Sequence, residues 1–240
     1  MQLFYAPDFT PNLYTLSEEE SKHAVRVLRL GEADTIHITD GAGNLYTCII
    51  EDANPKRCRV RVTEHKEHFE RLSYELTLAV APTKNSDRFE WFLEKATEIG
   101  ISEIIPLESA HSERRVFKPE RSVKVITAAM KQSLKAYHPT LRALTKFKDV
   151  VTMPFDGEKF IAHCEPESEE HPKPYLFDLI KPRERTLILI GPEGDFSPEE
   201  ISLARECGFR EISLGRERLR TETAAVAATM MVSVANYAKH

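Results

Sequence analysis

Apolar and polar positions alternate with a period of two over the first third of the chain. Thr35 to Thr39, Leu45 to Ile50 and Arg57 to Val62 each follow this pattern, which is that of half-buried strands. Gly41-Ala42-Gly43-Asn44 supplies a turn between the first two, and the run from Arg57 has one basic and one apolar face. Phe4-Tyr5 predicts an opening strand. Ser17-Glu18-Glu19-Glu20 has the form of a capping box and predicts a short helix through Leu28. Short strands with tight turns predict a small β-barrel over residues 1–72. On its helix His23, Arg26 and Arg29, three apart, form one polar stripe. His65 to Ser73 is polar and charged and reads as a linker.

From Tyr74 onwards apolar runs alternate with helical stripes, which predicts an α/β domain over residues 73–240. Strands are expected at Tyr74 to Ala81, Glu103 to Leu107, Phe160 to His163, Leu187 to Ile190 and Glu211 to Leu214. Phe89, Phe92, Leu93, Ala96 and Ile99 form the core face of a helix capped by Asn85 or Ser86 and ended by Gly100. Trp91 falls off that face and is a plausible interface anchor. Val123, Ile126, Ala129, Met130 and Leu134 mark a helix running to Tyr137. Ser197 is a natural N-cap with Pro198 at the first helical position, and Gly208 suits a left-handed C-cap. Thr221 to Ala238 is apolar nearly all round. It must be buried on most sides, and its alanines suit a homodimer interface as well as a core. Glu165 to Pro174 is rich in Pro and Glu and is expected to be a solvated, mobile loop.

The formal charge of −5 over 240 residues carries no global signal for nucleic acid. Its distribution does: between His111 and Lys148 ten basic residues stand against Glu113 and Glu120. That imbalance points to a polyanion partner. Cys48, Cys58, Cys164 and Cys207 form no zinc spacing, so no metal is expected, and four scattered cysteines fit a reducing cytosol; Cys48 and Cys58 could face each other across a hairpin but read rather as buried free thiols. The first residues do not read as a signal peptide. The most apolar segment, Ala224 to Ala235, is too short to cross a membrane. A cytoplasmic location is therefore expected.

Two strand ends finish in glycine turns about 24 residues apart, Gly191-Pro192-Glu193-Gly194 and Leu214-Gly215. Ligands of open α/β sheets lie outside the carboxyl ends of the strands, and glycine lets the backbone approach them closely. GPEGD is not G-x-G-x-x-G, and no G-x-x-x-x-G-K-[ST] occurs, so neither turn is a phosphate loop. This also discounts a dinucleotide-dependent dehydrogenase.

The stretch from GPEG through SPEE, followed by Leu214-Gly215 and then Leu219-Arg220-Thr221-Glu222-Thr223-Ala224, resembles the 16S rRNA uracil-N3 methyltransferases of the SPOUT class. Residues 81–107 and 21–30 resemble the family's other signatures, in the family's order. The chain departs from the pattern at Asp195, where the family commonly has a third glycine, and at Lys131-Gln132, where it commonly has Glu-Gln. The resemblance implies a C-terminal SPOUT-type trefoil-knot domain, an N-terminal PUA-like barrel, a homodimer, and S-adenosyl-L-methionine as cofactor. It implies a cofactor site of Ala162 and His163, Ile190, Gly191, Pro192, Glu193 and Gly194, and Leu214, Gly215, Leu219 and Thr223. Arg220 is the expected stabiliser of a uracil anion, and Glu222 the expected proton acceptor. RNA contacts are expected at Arg26, Arg29, Lys84, Arg88, Arg114, Arg121, Lys131 and Gln132, with 16S rRNA or the small ribosomal subunit as partner. Two alternatives remain open: a knotted methyltransferase acting on another base or on ribose, and a non-catalytic RNA-binding homologue.

Overall fold

The computed structural model describes residues 1–164 and 172–238. Glu165 to His171, the acidic part of the loop expected to be solvated and mobile, lies outside the described residues. Two compact units are present. One holds Met1–Arg71 and Thr127–His138; the other holds Leu72–Ile126 and the chain from Pro139 onward.

The first unit contains β1 (Leu3–Tyr5), β2 (Leu13–Thr15), α1 (Glu18–Lys22), a π-helical turn (His23–Val27), β3 (Thr35–Thr39), β4 (Leu45–Asp52) and β5 (Arg59–Lys66). Its five strands form a curled sheet in the order β1-β3-β4-β5-β2, with β1–β3 parallel and the other pairs antiparallel. Alternation along β3 and β4 buries Ile36, Ile38, Cys48 and Ile50 on one face, with Phe4, Leu16 and Val60. Cys48 and Cys58 are buried free thiols, as expected. Burial pushes the Cys48 thiol up to about 12 and the Cys58 thiol up to about 11.

Two local expectations for this unit change. Ser17 caps α1 by accepting the Glu20 N–H at 3.2 Å, but the Glu20 carboxylate does not close a capping box. It accepts from Lys131 Nζ at 2.5 Å instead. The polar stripe of His23, Arg26 and Arg29 does not form either. The chain widens from α-helical to π-helical winding at His23, and Arg29 sits beyond the turn with φ +57°. Spacing of three no longer places residues on one face there, and the His23 ring packs edge-on against Phe4.

The second unit contains β6 (Glu75–Val80), α2 (Ser86–Ile99), β7 (Glu103–Glu108), α3 (Pro119–Gln132), β8 (Thr140–Leu141), β9 (Thr145–Lys146) and α4 (Phe147–Thr152). It continues with β10 (Glu158–Ala162), α5 (Leu176–Leu179), β11 (Arg185–Ile190), α6 (Pro198–Glu206), β12 (Arg210–Ile212) and α7 (Thr221–Ala238). The last six residues of α3 belong to the first unit. Helix α3 begins before the expected Val123 and stops at Gln132, because Leu134 turns left-handed at φ +58°. The short elements β2, β8, β9, α4 and α5 carry too few apolar positions to show in the periodicity.

The sheet of the second unit runs β12-β10-β11-β6-β7-β8, with β9 also on β7, and every pair is parallel. Its strands are covered on both faces, as parallel sheets require. Leu76, Leu78, Val80, Ile188 and Ile190 face α2, α5 and α7, with Phe92 and Phe160 between them. Ala79, Ile105, Leu187 and Leu189 face α4 and α6 through Phe147, Val150, Ile201 and Ala204. Strand β11 lies in the middle, so its carboxyl end is surrounded by the ends of its neighbours. Phe92 is fully buried, and neighbouring Trp91 is 43 % exposed. Phe92→Ala is expected to cost about 3–5 kcal/mol, read as a shift of the urea midpoint at unchanged slope.

Candidate active site

The carboxyl ends of β10, β11 and β12 surround a cavity of about 1010 Å³. Its walls are Ala162, His163 and Cys164 at the end of β10; Ile190 to Glu193 and Asp195 at the end of β11; and Ile212 to Gly215 at the end of β12. Arg216 to Thr221 and Ala224 close one side, and Pro172, Lys173 and Tyr175 another. The last group is held by a parallel bridge between Tyr175 and Ser213. Apolar wall residues lie beside Lys173 and charges from two further segments: Glu193 and Asp195, and Arg216, Glu217, Arg218 and Arg220.

The turn after β11 anchors its surroundings. The Asp195 N–H donates to the Pro192 carbonyl at 3.0 Å, closing a tight turn with Asp195 in the left-handed region at φ +63°. Thr221 Oγ1 donates to the Gly191 carbonyl at 3.0 Å, which ties the first turn of α7 to β11. The Cys164 N–H donates to Asp195 Oδ2 at 2.7 Å, and the Phe196 N–H to Asp195 Oδ1 at 2.8 Å. His111 Nδ1 lies 3.1 Å from the Asp195 carbonyl. Next along the chain, Ser197 and Glu200 form a complete capping box on α6, and Glu200 also accepts the Ala110 N–H at 2.8 Å.

His163 is buried in the wall between β10 and β12. Its Nε2 lies 2.6 Å from Glu211 Oε2, and Lys173 Nζ lies 3.3 Å from Nδ1 and 3.0 Å from the His163 carbonyl. Arg205 grips Glu211 with two hydrogen bonds, at 2.6 and 2.8 Å. Lysine can only donate and a carboxylate only accepts, so the partners assign a neutral imidazole protonated on Nε2. Burial holds the His163 pKa below its usual value, with Lys173 adding to the effect against Glu211 and Asp195. The Arg205 hydrogen bonds hold the Glu211 pKa below the usual carboxylate range.

Of the residues expected at the cofactor site, Ala162, His163, Ile190, Gly191, Pro192, Glu193, Leu214, Gly215 and Leu219 line the cavity, and Arg220 lines it with them. Three do not. Gly194 borders the loop after β7, where a Cβ would come within 3.1 Å of the His111 Cβ. Thr223 is exposed on α7, and Glu222 is buried behind the wall, 3.8 Å from Arg88 Nε. Glu222 Oε2 has no hydrogen-bond partner among the described residues. Several expected RNA contacts hold acids or backbone: Arg121 with Glu90 at 2.8 Å, Lys84 with Glu113 at 3.0 Å, Lys131 with Glu20, and Arg114 on the Lys84 carbonyl. Arg26, Arg29 and Gln132 are exposed in the first unit. Among the described residues no group of three His, Cys, Asp or Glu is arranged to hold a metal, and no helix is long and apolar enough to cross a membrane.

Comparison with known proteins bears on this site directly. Residues 70–233 match the sequence model of the RNA methyltransferase domain, and residues 16–63 match that of the RNA methyltransferase PUA domain. The chain belongs to the RNA methyltransferase family. It is 27 % identical over 237 residues to the ribosomal RNA small subunit methyltransferase E of Aquifex aeolicus, covering 94 % of this chain and 96 % of that protein. A probable rRNA-methyltransferase from Porphyromonas gingivalis superposes with a TM-score of 0.92 at 39 % identity, over the whole of both chains. A Neisseria gonorrhoeae ribosomal RNA small subunit methyltransferase E bound to S-adenosyl methionine superposes with a TM-score of 0.85 at 25 % identity, over 95 % of each chain.

In this methyltransferase domain the sequence reading missed Cys164, Lys173, Tyr175, Ser213 and Thr221 in the cavity wall, and Glu211 and Arg205 behind it. Cys164 was within reach, since it follows His163 on the same strand end. Glu211 was not, because its partner His163 lies more than forty positions away in the chain, and Arg205 joins the network through Glu211. The His163 environment has a measurable consequence. With its folded pKa below the unfolded value, the unfolded chain takes up the proton first as pH falls, so stability drops below about pH 6.5. Replacing His163 with Gln is expected to flatten the dependence of the urea midpoint on pH between about 7 and 5.

Proposed function

We propose that this protein uses S-adenosyl-L-methionine to methylate N3 of a specific uridine in 16S ribosomal RNA of the small subunit. The observation that carries the reading is the cavity outside three parallel strand ends, lined by apolar turn residues and charges of both signs. Its residues fit such a cofactor. Ile190, Ile212, Leu214 and Leu219 offer apolar surface for an adenine ring. Glu193 and Glu217 suit the cationic groups of the cofactor, and Lys173 its carboxylate. Gly215 has φ +140° and a Cβ there would meet nothing within 4 Å, so the wall is backbone facing open space. Bound there, S-adenosyl-L-methionine supplies a methyl group already activated by a sulfonium.

The chain must then place a uracil and manage the N3 proton. Arg220 lines the cavity, is exposed, and makes no ion pair among the described residues. A guanidinium so placed stabilises the negative charge that develops on a uracil oxygen as N3 loses its proton. Glu222 faces Arg88 rather than the cavity, so the geometry favours Arg220 as the group that meets substrate. N3 lies on the Watson–Crick edge, so the target base is unpaired or flipped. Arg26, Arg29, Lys84, Arg88, Arg114, Arg121, Lys131 and Gln132 are the proposed contacts to the surrounding RNA. A homodimer is part of the reading. Met230, Val234 and Tyr237 are exposed on one face of α7, an otherwise buried helix, and a helix whose apolar surface is left open seeks a partner. So are the threaded topology of the second unit and a cytoplasmic location.

The test is incubation of the protein with labelled cofactor and rRNA from cells lacking it, followed by mapping of the modified nucleoside. A product other than 3-methyluridine defeats the reading. Arg220→Ala and Arg220→Lys are both expected to lower the single-turnover rate by about 10² or more with cofactor affinity nearly unchanged, because lysine lacks the planar fork. Light scattering is expected to give twice 27.4 kDa, and Val234→Glu to give the monomer.

A further inference from the structure

Asp195 occupies a conformation that glycine adopts most readily. Its φ of +63° lies in the left-handed region, which aspartate tolerates better than most side chains but in which a Cβ is still disfavoured. The cost is offset by what the side chain does. One carboxylate oxygen accepts the N–H of Phe196, the next residue, at 2.8 Å. The other accepts the N–H of Cys164 at 2.7 Å, from a loop 31 positions away. The second bond joins the segment after β10 to the turn after β11, two adjacent walls of the cavity.

No other hydrogen bond between described residues joins Cys164 to that turn. Beyond Ala162 the parallel ladder between β10 and β11 ends, and its last register pair is Ala162 with Ile190. Cys164 therefore lies past the reach of sheet pairing. Its amide would otherwise face solvent or the cavity, and the Asp195 carboxylate extends the connection two residues further than the strands do. A hydrogen bond to a charged acceptor is stronger than one between neutral groups, and the turn's own closure by Asp195 N–H to Pro192 O fixes where that carboxylate points.

We propose that Asp195 is a positioning residue for the cofactor cavity. Its carboxylate clasps the β10-end loop to the β11 turn and so sets the separation of the two walls. It acts through the Cys164 backbone and not by direct contact with the cofactor's charge. The inference rests on the cofactor reading above for the ligand used in its test, and the clasp itself has a separate readout.

Asp195→Gly removes the carboxylate while keeping a residue suited to the backbone conformation, and Asp195→Asn keeps one acceptor oxygen. Amide hydrogen exchange at Cys164 and the rate of modification of its exposed thiol report the loop, with peptide mapping to separate it from Cys207. The glycine variant is expected to retain its thermal midpoint to within a few degrees. Its Cys164 amide should exchange about tenfold faster or more, the size of one charge-assisted hydrogen bond. Its affinities for S-adenosyl-L-methionine and S-adenosyl-L-homocysteine should weaken by about the same factor as each other, with the asparagine variant in between. Unchanged exchange at Cys164 in both variants overturns the clasp. A loss confined to the sulfonium ligand also overturns it, because the carboxylate would then act on the cofactor's charge directly. If the unmodified protein bound neither ligand, the cofactor reading would fall, and the exchange rates alone would decide whether the clasp exists. Should the glycine variant fail to fold, the asparagine variant carries the same comparison.

Discussion

A strand that ends in the middle of a parallel sheet leaves its last backbone groups without ladder partners, and the turn that follows must find others. In this protein that constraint falls on residues 191–195. The Gly191 carbonyl takes the Thr221 hydroxyl, the Asp195 carboxylate takes the Cys164 N–H, and Glu200, a few residues on, takes the Ala110 N–H. Each bond reaches a different loop, so one turn organises the ends of β7, β10 and β11 and the start of α7. The acceptors are mostly carboxylates and the donors mostly backbone amides. Such pairs are directional, and in partly buried surroundings they are stronger than their neutral counterparts. The cavity has definite walls because these bonds hold loops that the sheet itself no longer holds.

Charge follows a similar logic. Counted along the chain, the segment from His111 to Lys148 is strongly basic. In space, Arg121 meets Glu90, Arg142 meets Glu103, and Lys131 meets Glu20. Each acid comes from a different stretch of sequence, and the pairing reduces the positive field that a window count implies. Most of these pairs are exposed and contribute little to stability. Their effect is on which cations remain available to a polyanion.

The acidic run of GPEGDFSPEE illustrates how one residue type serves two purposes. Helix propensity explains Glu199 and Glu200 by the dipole and by the capping box, and both statements hold for α6. It does not explain Glu193 or Asp195, which precede the helix. Their carboxylates accept backbone amides from Lys84 and Cys164 respectively. Local rules account for what a residue does for its own element, and these two act for other elements.

The sequence alone determined which segments are strands and helices wherever the apolar period was long enough. Thr35 to Ile50, Leu187 to Ile190, the Phe89–Phe92–Ala96 face and the Ser197-Pro198 helix start were all legible, as were the two glycine turns and half of the cavity lining between Ala162 and Arg220. These features depend on spacing of two, three or four residues, which the chain carries in itself. The tertiary structure alone decided the rest. It converted the helix at His23 to π winding, turned Glu20 from its cap to Lys131, moved Gly194 to His111 and Glu222 to Arg88, and built the His163–Glu211–Arg205 network. Apart from the π winding, each of these depends on residues far apart in the chain. Hydrogen bonds and ion pairs act over about 3 Å of space, and sequence spacing says nothing of which distant groups the fold will bring that close.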